Sequence, residues 1–241
     1  MPYREVLIMA VTRMLSGVCI AGFSTERHPM SQLCWVRPVK EHGTLLLGDI
    51  TYSDKRVMQP GDIVELNLLR PRPKPPHVED WVTDFIYQRP RLARRLESER
   101  RGRWLATHLD RSPKDITAQS SRSLCLVKPA RIWASFSLDA FSGKYQTRMG
   151  FTLPGVEHAE ANAPRGVPVT DVKWRALGRA WLGKEGGELA LAQDELQKKL
   201  GAQEIYLALG LSRSYEGKIW LLVIGVHCVP DYEAEIDYDN L

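Results

Sequence analysis

A chain of 241 residues, 44% of them hydrophobic, has enough apolar side chains for one or two packed domains. Its longest apolar runs, LLVIGV (221–226) and VLIM (6–9), fall far short of the roughly 20 residues that cross a bilayer, and Arg4 and Glu5 precede a short run with no small-residue cleavage site. A membrane span and a secretory leader are therefore not expected, and a cytoplasmic protein is. The formal charge of +4 is too mild to name a ligand, but its distribution is uneven.

In chain order, the first seventy residues give five strand signals: EVLIMAVT (5–12), GVCIAG (17–22), CWVRPV (34–39), ITYSDKRV (50–57) and DIVELNLL (62–69). Turn residues at Ser16-Gly17, Gly43, Gly48 and Pro60-Gly61 punctuate them. Five short strands without a strong helix predict a small closed sheet over 1–70, of the OB or SH3 type. RPRPKPP (70–76) cannot continue a sheet interior and marks a boundary. Beyond it Val78, Trp81, Val82, Phe85 and Ile86 recur at helical spacing, which predicts a helix over 78–87. A second helix, 91–109, would make 71–120 a proline-led helical insert rich in arginine.

Strands return at LCLVKPARIWASF (124–136), KYQTRMGFTL (144–153), GVPV (166–169), EIYLALGLS (204–212) and KIWLLVIGVHC (218–228). Between the third and fourth, Thr170 or Asp171 can cap one helix and LALAQDELQKKLG (189–201) gives another, ended by Gly201. Helix between strands three and four is the OB order, so 121–230 reads as a second barrel and 231–241 as an acidic tail. The fold class is mainly β with helical insertions: two OB-like five-stranded barrels joined by a helical insert.

The four cysteines are scattered through apolar runs and read as reduced core residues. The histidines show no metal-ligand spacing, so neither a disulfide, a metal nor a cofactor is supported. No phosphate-binding glycine loop, nucleophile elbow or paired-carboxylate nuclease signature is present, so nothing in the sequence marks an enzyme.

Taken together, VLIMAVTRMLSGVCIAG (6–22), CWVRPV (34–39), GDIVELNL (61–68), PPHVEDW (75–81), VTDVKW (169–174) and YLALGLSRSYEGKIWLLV (206–223) resemble the bacterial dual-OB-domain proteins, in which two OB barrels are joined by a short helical insert. The resemblance implies the fold and brings no catalytic residues with it. The chain departs from the family pattern at Asp80, where an asparagine stands in the family, and at Val172, where a proline does.

OB barrels commonly bind single strands across one face, with cations tracking phosphates and aromatics stacking on bases. The candidates for nucleic-acid contact in the first barrel are Arg13, Trp35 and Arg37; residues 35 and 37 share one strand face, with Cys34 and Val36 turned into the barrel. The alternative for this pair is structural, with Trp35 covering the barrel and Arg37 pairing with Glu79, Asp80 or Asp171. In the insert, Arg89, Arg91, Arg94, Arg95, Arg100, Arg101 and Arg103 stand against only Glu97 and Glu99. Lys144, Tyr145, Arg148, Arg213, Tyr215 and Lys218 repeat the basic and aromatic mixture in the second barrel. Glu79 and Asp171 are candidates for an inter-domain contact or a pocket. The expected partner is single-stranded DNA or RNA, in a nucleoprotein or anti-phage defence complex. An enzyme with its site between the barrels, or a protein-interaction scaffold, are the alternatives.

Overall fold

The VLIMAV run becomes the middle of β1 (Arg4–Met14), whose residues Val6 to Val11 are all buried. A strand with no polar alternation is covered on both faces, and here the two faces belong to different cores. Val6 and Ile8 point into the first core, while Leu7 and Met9 point into another that lies between the two halves of the molecule. The computed structural model that shows this describes residues 4–14, 16–25, 35–110, 122–214 and 216–238.

β1 pairs with β2 (Gly17–Ser24) and with β4 (Asp62–Leu66); β3 (Trp35–Val39) pairs with β2. Together with β5 (Leu68–Pro71), β6 (Asp80–Thr83) and β7 (Arg91–Arg95) they form a seven-stranded sheet in the order β5-β6-β3-β2-β1-β4-β7. The sheet curls around Val6, Ile8, Ile20, Val36, Ile50, Met58, Val64 and Leu66. Residues beyond the proline run thus complete this sheet.

Three expectations are corrected here. Residues 78–87 are not helical: β6 lies parallel to β3, with Arg37 opposite Asp80, and burying Val82 in the sheet leaves Val78 and Ile86 exposed. The segment 91–109 is a strand followed by a shorter helix, because β7 pairs with β4 before α1 (Ser98–Thr107) begins. Residues 50–57 are not a strand either. A 3-10 turn, Leu47–Ile50, leads into a tight loop closed by the Thr51–Val57 bridge, which buries Ile50 and Tyr52 as plugs.

In the second half, 124–136 splits at Pro129 into β8 (Leu124–Val127) and β9 (Arg131–Leu138), which enter different sheets. One sheet has the order β11-β10-β9-β12, where β10 is Tyr145–Thr152, β11 is Val167–Pro168 and β12 is Gly187–Leu191. The other is β14-β13-β8, with β13 Glu204–Leu211 and β14 Leu221–Val229. The Val169–Val223 bridge joins them on the far side, so the two sheets wrap one core around Phe136, Phe151, Trp174 and Leu207. The run 189–201 is divided, with β12 taking its start and a helix only its end. Besides the short α2 (Ala159–Asn162), the helices are α3 (Val172–Leu182), capped by Asp171, and α4 (Gln193–Leu200), ended by left-handed Gly201. Gly178 on α3 has no substitute: a Cβ there would lie 2.2 Å from Phe136 and from the Tyr145 hydroxyl. Among the described residues no helix is long and apolar enough to cross a membrane.

The third core joins the halves. Leu7, Met9, Ala21, Phe23 and Trp35 of the first sheet meet Leu124, Leu126, Tyr206, Ala208 and Ile224 of the second, with Leu105 of α1 closing the side. Gly225 permits that approach, since a Cβ would stand 2.4 Å from the Met9 carbonyl oxygen.

A candidate anion-binding seam between the two sheets

Buried polar groups need partners, and along this seam Glu79, Arg13 and His77 find theirs on the other half while Asp171 and Thr170 find theirs within the second. Glu79 accepts hydrogen bonds from the Ser123 N–H (2.7 Å), the Ser123 hydroxyl (2.8 Å) and the Leu124 N–H (3.1 Å). Asp171 accepts from the N–H groups of Lys173 and Trp174, capping α3, and with its other oxygen from the Val226 N–H at 2.8 Å. Burial pushes the Asp171 carboxyl up to about 6, against the pull of those three donors. The Arg13 N–H donates to the Thr170 carbonyl and the Thr170 N–H to that of Val223. His77 donates from Nε2 to the Ser212 carbonyl oxygen at 3.1 Å.

Both carboxylates are thus committed to backbone donors, which leaves neither aimed at a space where acid-base chemistry could occur. The Cys228 thiol is equally inert, pushed up to about 12 by burial. Among the described residues no three His, Cys, Asp or Glu side chains gather as metal ligands would.

The same ties frame a cavity of about 610 Å³ between β1, β2 and β3 on one side and the β13–β14 end on the other. Its walls include Ala21, Leu124, Leu211, Leu222 and Ile224, and its polar lining combines serines and threonines, Thr12 and Thr44 among them, with Cys19 and three arginines, Arg13, Arg37 and Arg213. Arg37 is 9% exposed and donates from Nε to Asp80 at 2.6 Å, its one side-chain hydrogen bond among the described residues. Arg13 and Arg213 are exposed, and neither forms an ion pair with a described residue. Burial first, then the charges of Arg37 and Arg213, push His77 down to about 4, so its ring is neutral at physiological pH.

The cavity does not stand alone. Trp220 and Leu222 also line a second concavity of about 480 Å³, and Arg148 and Arg165 line both that one and a third of about 690 Å³ over β9, β10 and β12. The shared residues make the three neighbours, a trough of adjoining concavities with arginines in the lining of each. Arg175 lies close enough to Arg13 to feel its charge but lines none of the three: burial lowers its pKa, with Arg13 and Arg179 contributing.

The residues singled out in the sequence divide between this trough and other places. Arg13, Arg37, Arg148 and Arg213 line it. Trp35 is a correction: at 9% exposure, with its ring 4.1 Å from Phe23, it fills the core between the sheets and offers no plane to a base. Tyr145 is another, buried beneath Arg175 and Arg179, whose guanidinium carbons lie 4.9 and 4.6 Å from its ring centre. Arg101 is a third. It is buried, and donates to Nδ1 of His227 (3.0 Å) and the Cys228 carbonyl while pairing with Asp231.

Three more arginines of the cluster are matched by acids of their own sheet: Arg91 with Glu65, Arg94 with Glu5, and Arg95 with Asp62 and Glu97. Arg89, Arg100 and Arg103 are exposed and make no ion pair with a described residue, but they do not line the trough. Lys144 and Lys218 are exposed outside it as well. Tyr215 and Cys34 lie outside the described residues.

Sequence reasoning missed Trp220, Arg165 and Arg175. Trp220 leads into an apolar strand and looks like core, Arg165 sits singly in a loop, and Arg175 shares α3 with Lys173 and Arg179, where the apolar face dominates the pattern. It also missed the role of the C-terminal acids. In DYEAEIDY (231–238) acidic positions alternate with Tyr232, Ala234, Ile236 and Tyr238, and the structure lays the segment as a strap across both halves. Tyr232 packs on Trp174 in the second core, while Ile236 and Tyr238 pack on the first.

The family described as the dual OB-containing domain matches residues 4–226 of the chain. No curated protein and no solved structure matches it.

Proposed function

Because the chain belongs to the dual OB-containing domain family, whose fold generally serves to bind nucleic acids or proteins, we propose that it binds single-stranded nucleic acid along the trough at the seam. The arginines of the trough support this reading: Arg13, Arg37, Arg213, Arg165 and Arg148 line three neighbouring concavities that have lining residues in common. Guanidinium groups spaced along a groove match a chain of phosphates, and Trp220, half-buried at a shared wall, offers an aromatic surface for a base. The trough's charge is mainly of one sign, with Glu160 and Glu188 its only acidic linings.

Salt titration of binding to single-stranded DNA and RNA, followed by fluorescence anisotropy, tests the proposal. Each phosphate contact contributes a log-log slope of about −0.7 on single strands, so the four more accessible arginines predict a slope of about −3. Arg165→Ala should flatten it by one contact. Absence of binding at the lowest salt for both polymers would overturn the reading.

A further inference from the structure

We propose that the seam cavity is an end-recognition site, which takes the terminal nucleotide of a strand by its phosphomonoester and houses the attached base or sugar against the apolar wall. The inference rests on the trough as the path of the strand. Charge is the first argument. Arg13, Arg37 and Arg213 bring three positive charges to one cavity; Asp80 pairs with Arg37, the Glu79 carboxylate behind it is taken up by Ser123 and Leu124, and the two charges of Arg13 and Arg213 keep no acidic partner among the described residues. An internal phosphodiester carries a single negative charge, whereas a phosphomonoester carries about −1.5 to −2 at neutral pH. The cavity therefore matches an end better than a passing link.

Arg37 supplies the second argument. A buried guanidinium is costly unless its donors are used. Asp80 takes only Nε, and the side chain lines the cavity with no other hydrogen bond to a described residue. Its neighbour His77 is held neutral, so it adds no competing charge. The third argument is shape. About 610 Å³ lies within the range of small-molecule sites, and Leu124 and Ile224 give it an apolar wall suited to a base or sugar. Thr12 stands among the arginines, its hydroxyl donating to the Cys19 carbonyl oxygen at 3.3 Å and leaving its lone pairs for the cavity's donors.

The same phosphomonoester could arrive on a strand end or on a free nucleotide, and the experiment separates the two. Short single strands identical in sequence, one with a terminal phosphate at either end and one with hydroxyl ends only, are titrated by anisotropy; a nucleoside monophosphate is titrated by calorimetry. The phosphorylated strand is expected to bind at least about tenfold tighter, the equivalent of one charge-assisted hydrogen bond. That ratio should collapse towards one in Arg213→Ala and in Arg13→Ala, both at exposed positions, and persist in Arg148→Ala, whose loss falls equally on both strands. Equal binding of the two strands by the wild-type protein overturns the end site and leaves the trough standing. Binding of the monophosphate alone, abolished by Arg213→Ala, upholds the cavity with the free nucleotide as its source and removes the trough. If neither strand nor nucleotide binds, both proposals fail.

Discussion

Arg37 shows how much a single side chain depends on its surroundings. Its strand neighbours are buried, and an isolated charge there would be untenable; the Asp80 carboxylate at 2.6 Å makes the position habitable and holds β6 against β3. Glu79, one residue earlier, turns the other way and holds the second half. Glu79→Ala would orphan buried donors of Ser123 and Leu124, with an expected cost of about 3 kcal/mol in a urea denaturation series, while Glu79→Gln keeps an acceptor and should cost less. An unchanged midpoint for the alanine variant would show that the tie contributes nothing to stability.

At the scale of elements, two segments changed character between pattern and fold. The arginine cluster divides into β7, an edge strand whose cations are matched by Glu65, Glu5 and Asp62, and α1, which buries Arg101. Exposed pairs of this kind contribute at most about 1 kcal/mol each. Arg94→Ala is accordingly expected to leave both stability and the salt slope of binding nearly unchanged, and a flattened slope would place β7 in the interface.

The C-terminal strap is the converse case, acidic outside and apolar inside. Tyr232 is 5% exposed, edge-on to Trp174 with the Lys173 ammonium 4.3 Å from its ring centre. Tyr232→Ala should destabilise the chain by about 3–5 kcal/mol, the range for a large aromatic removed from a core, as read by the thermal or urea midpoint. A loss below 1 kcal/mol would mean that the strap is only laid on the surface.

Over the whole molecule, the buried histidines set a pH dependence. His77 is pushed down to about 4 and His227 well below its ordinary value, in both cases first by burial. Each therefore binds its proton more readily in the unfolded chain, so stability falls as pH falls through the window from 6.5 towards 4. Asp171, raised to about 6, opposes them below that pH, since the folded carboxyl takes up its proton first. His158 is lowered by burial as well and Asp62 raised by it, so three histidines stand against two carboxyls, and the urea midpoint should drop between neutral pH and about pH 5. His77→Gln should shallow that drop; a midpoint independent of pH would contradict the burial assigned to the histidine rings.

By itself the sequence determined the strands whose alternation or unbroken apolar runs demand burial, β1, β2, β4, β10, β13 and β14, together with a helix capped at Thr170 or Asp171, of which the structure chose Asp171, and the mainly-β, two-barrel plan. Periodicity reports that a face must be covered, because that depends only on which side chains avoid water. It does not report what covers it. Only the tertiary structure decided that Trp35 faces Phe23 rather than a ligand, that residues 80–83 join a sheet rather than a helix, and which arginines are neutralised. The trough belongs to the same class. Arg13, Arg37 and Arg213 are far apart in the chain, and their charges act together only because the two halves close on a common core and bring them to one seam cavity.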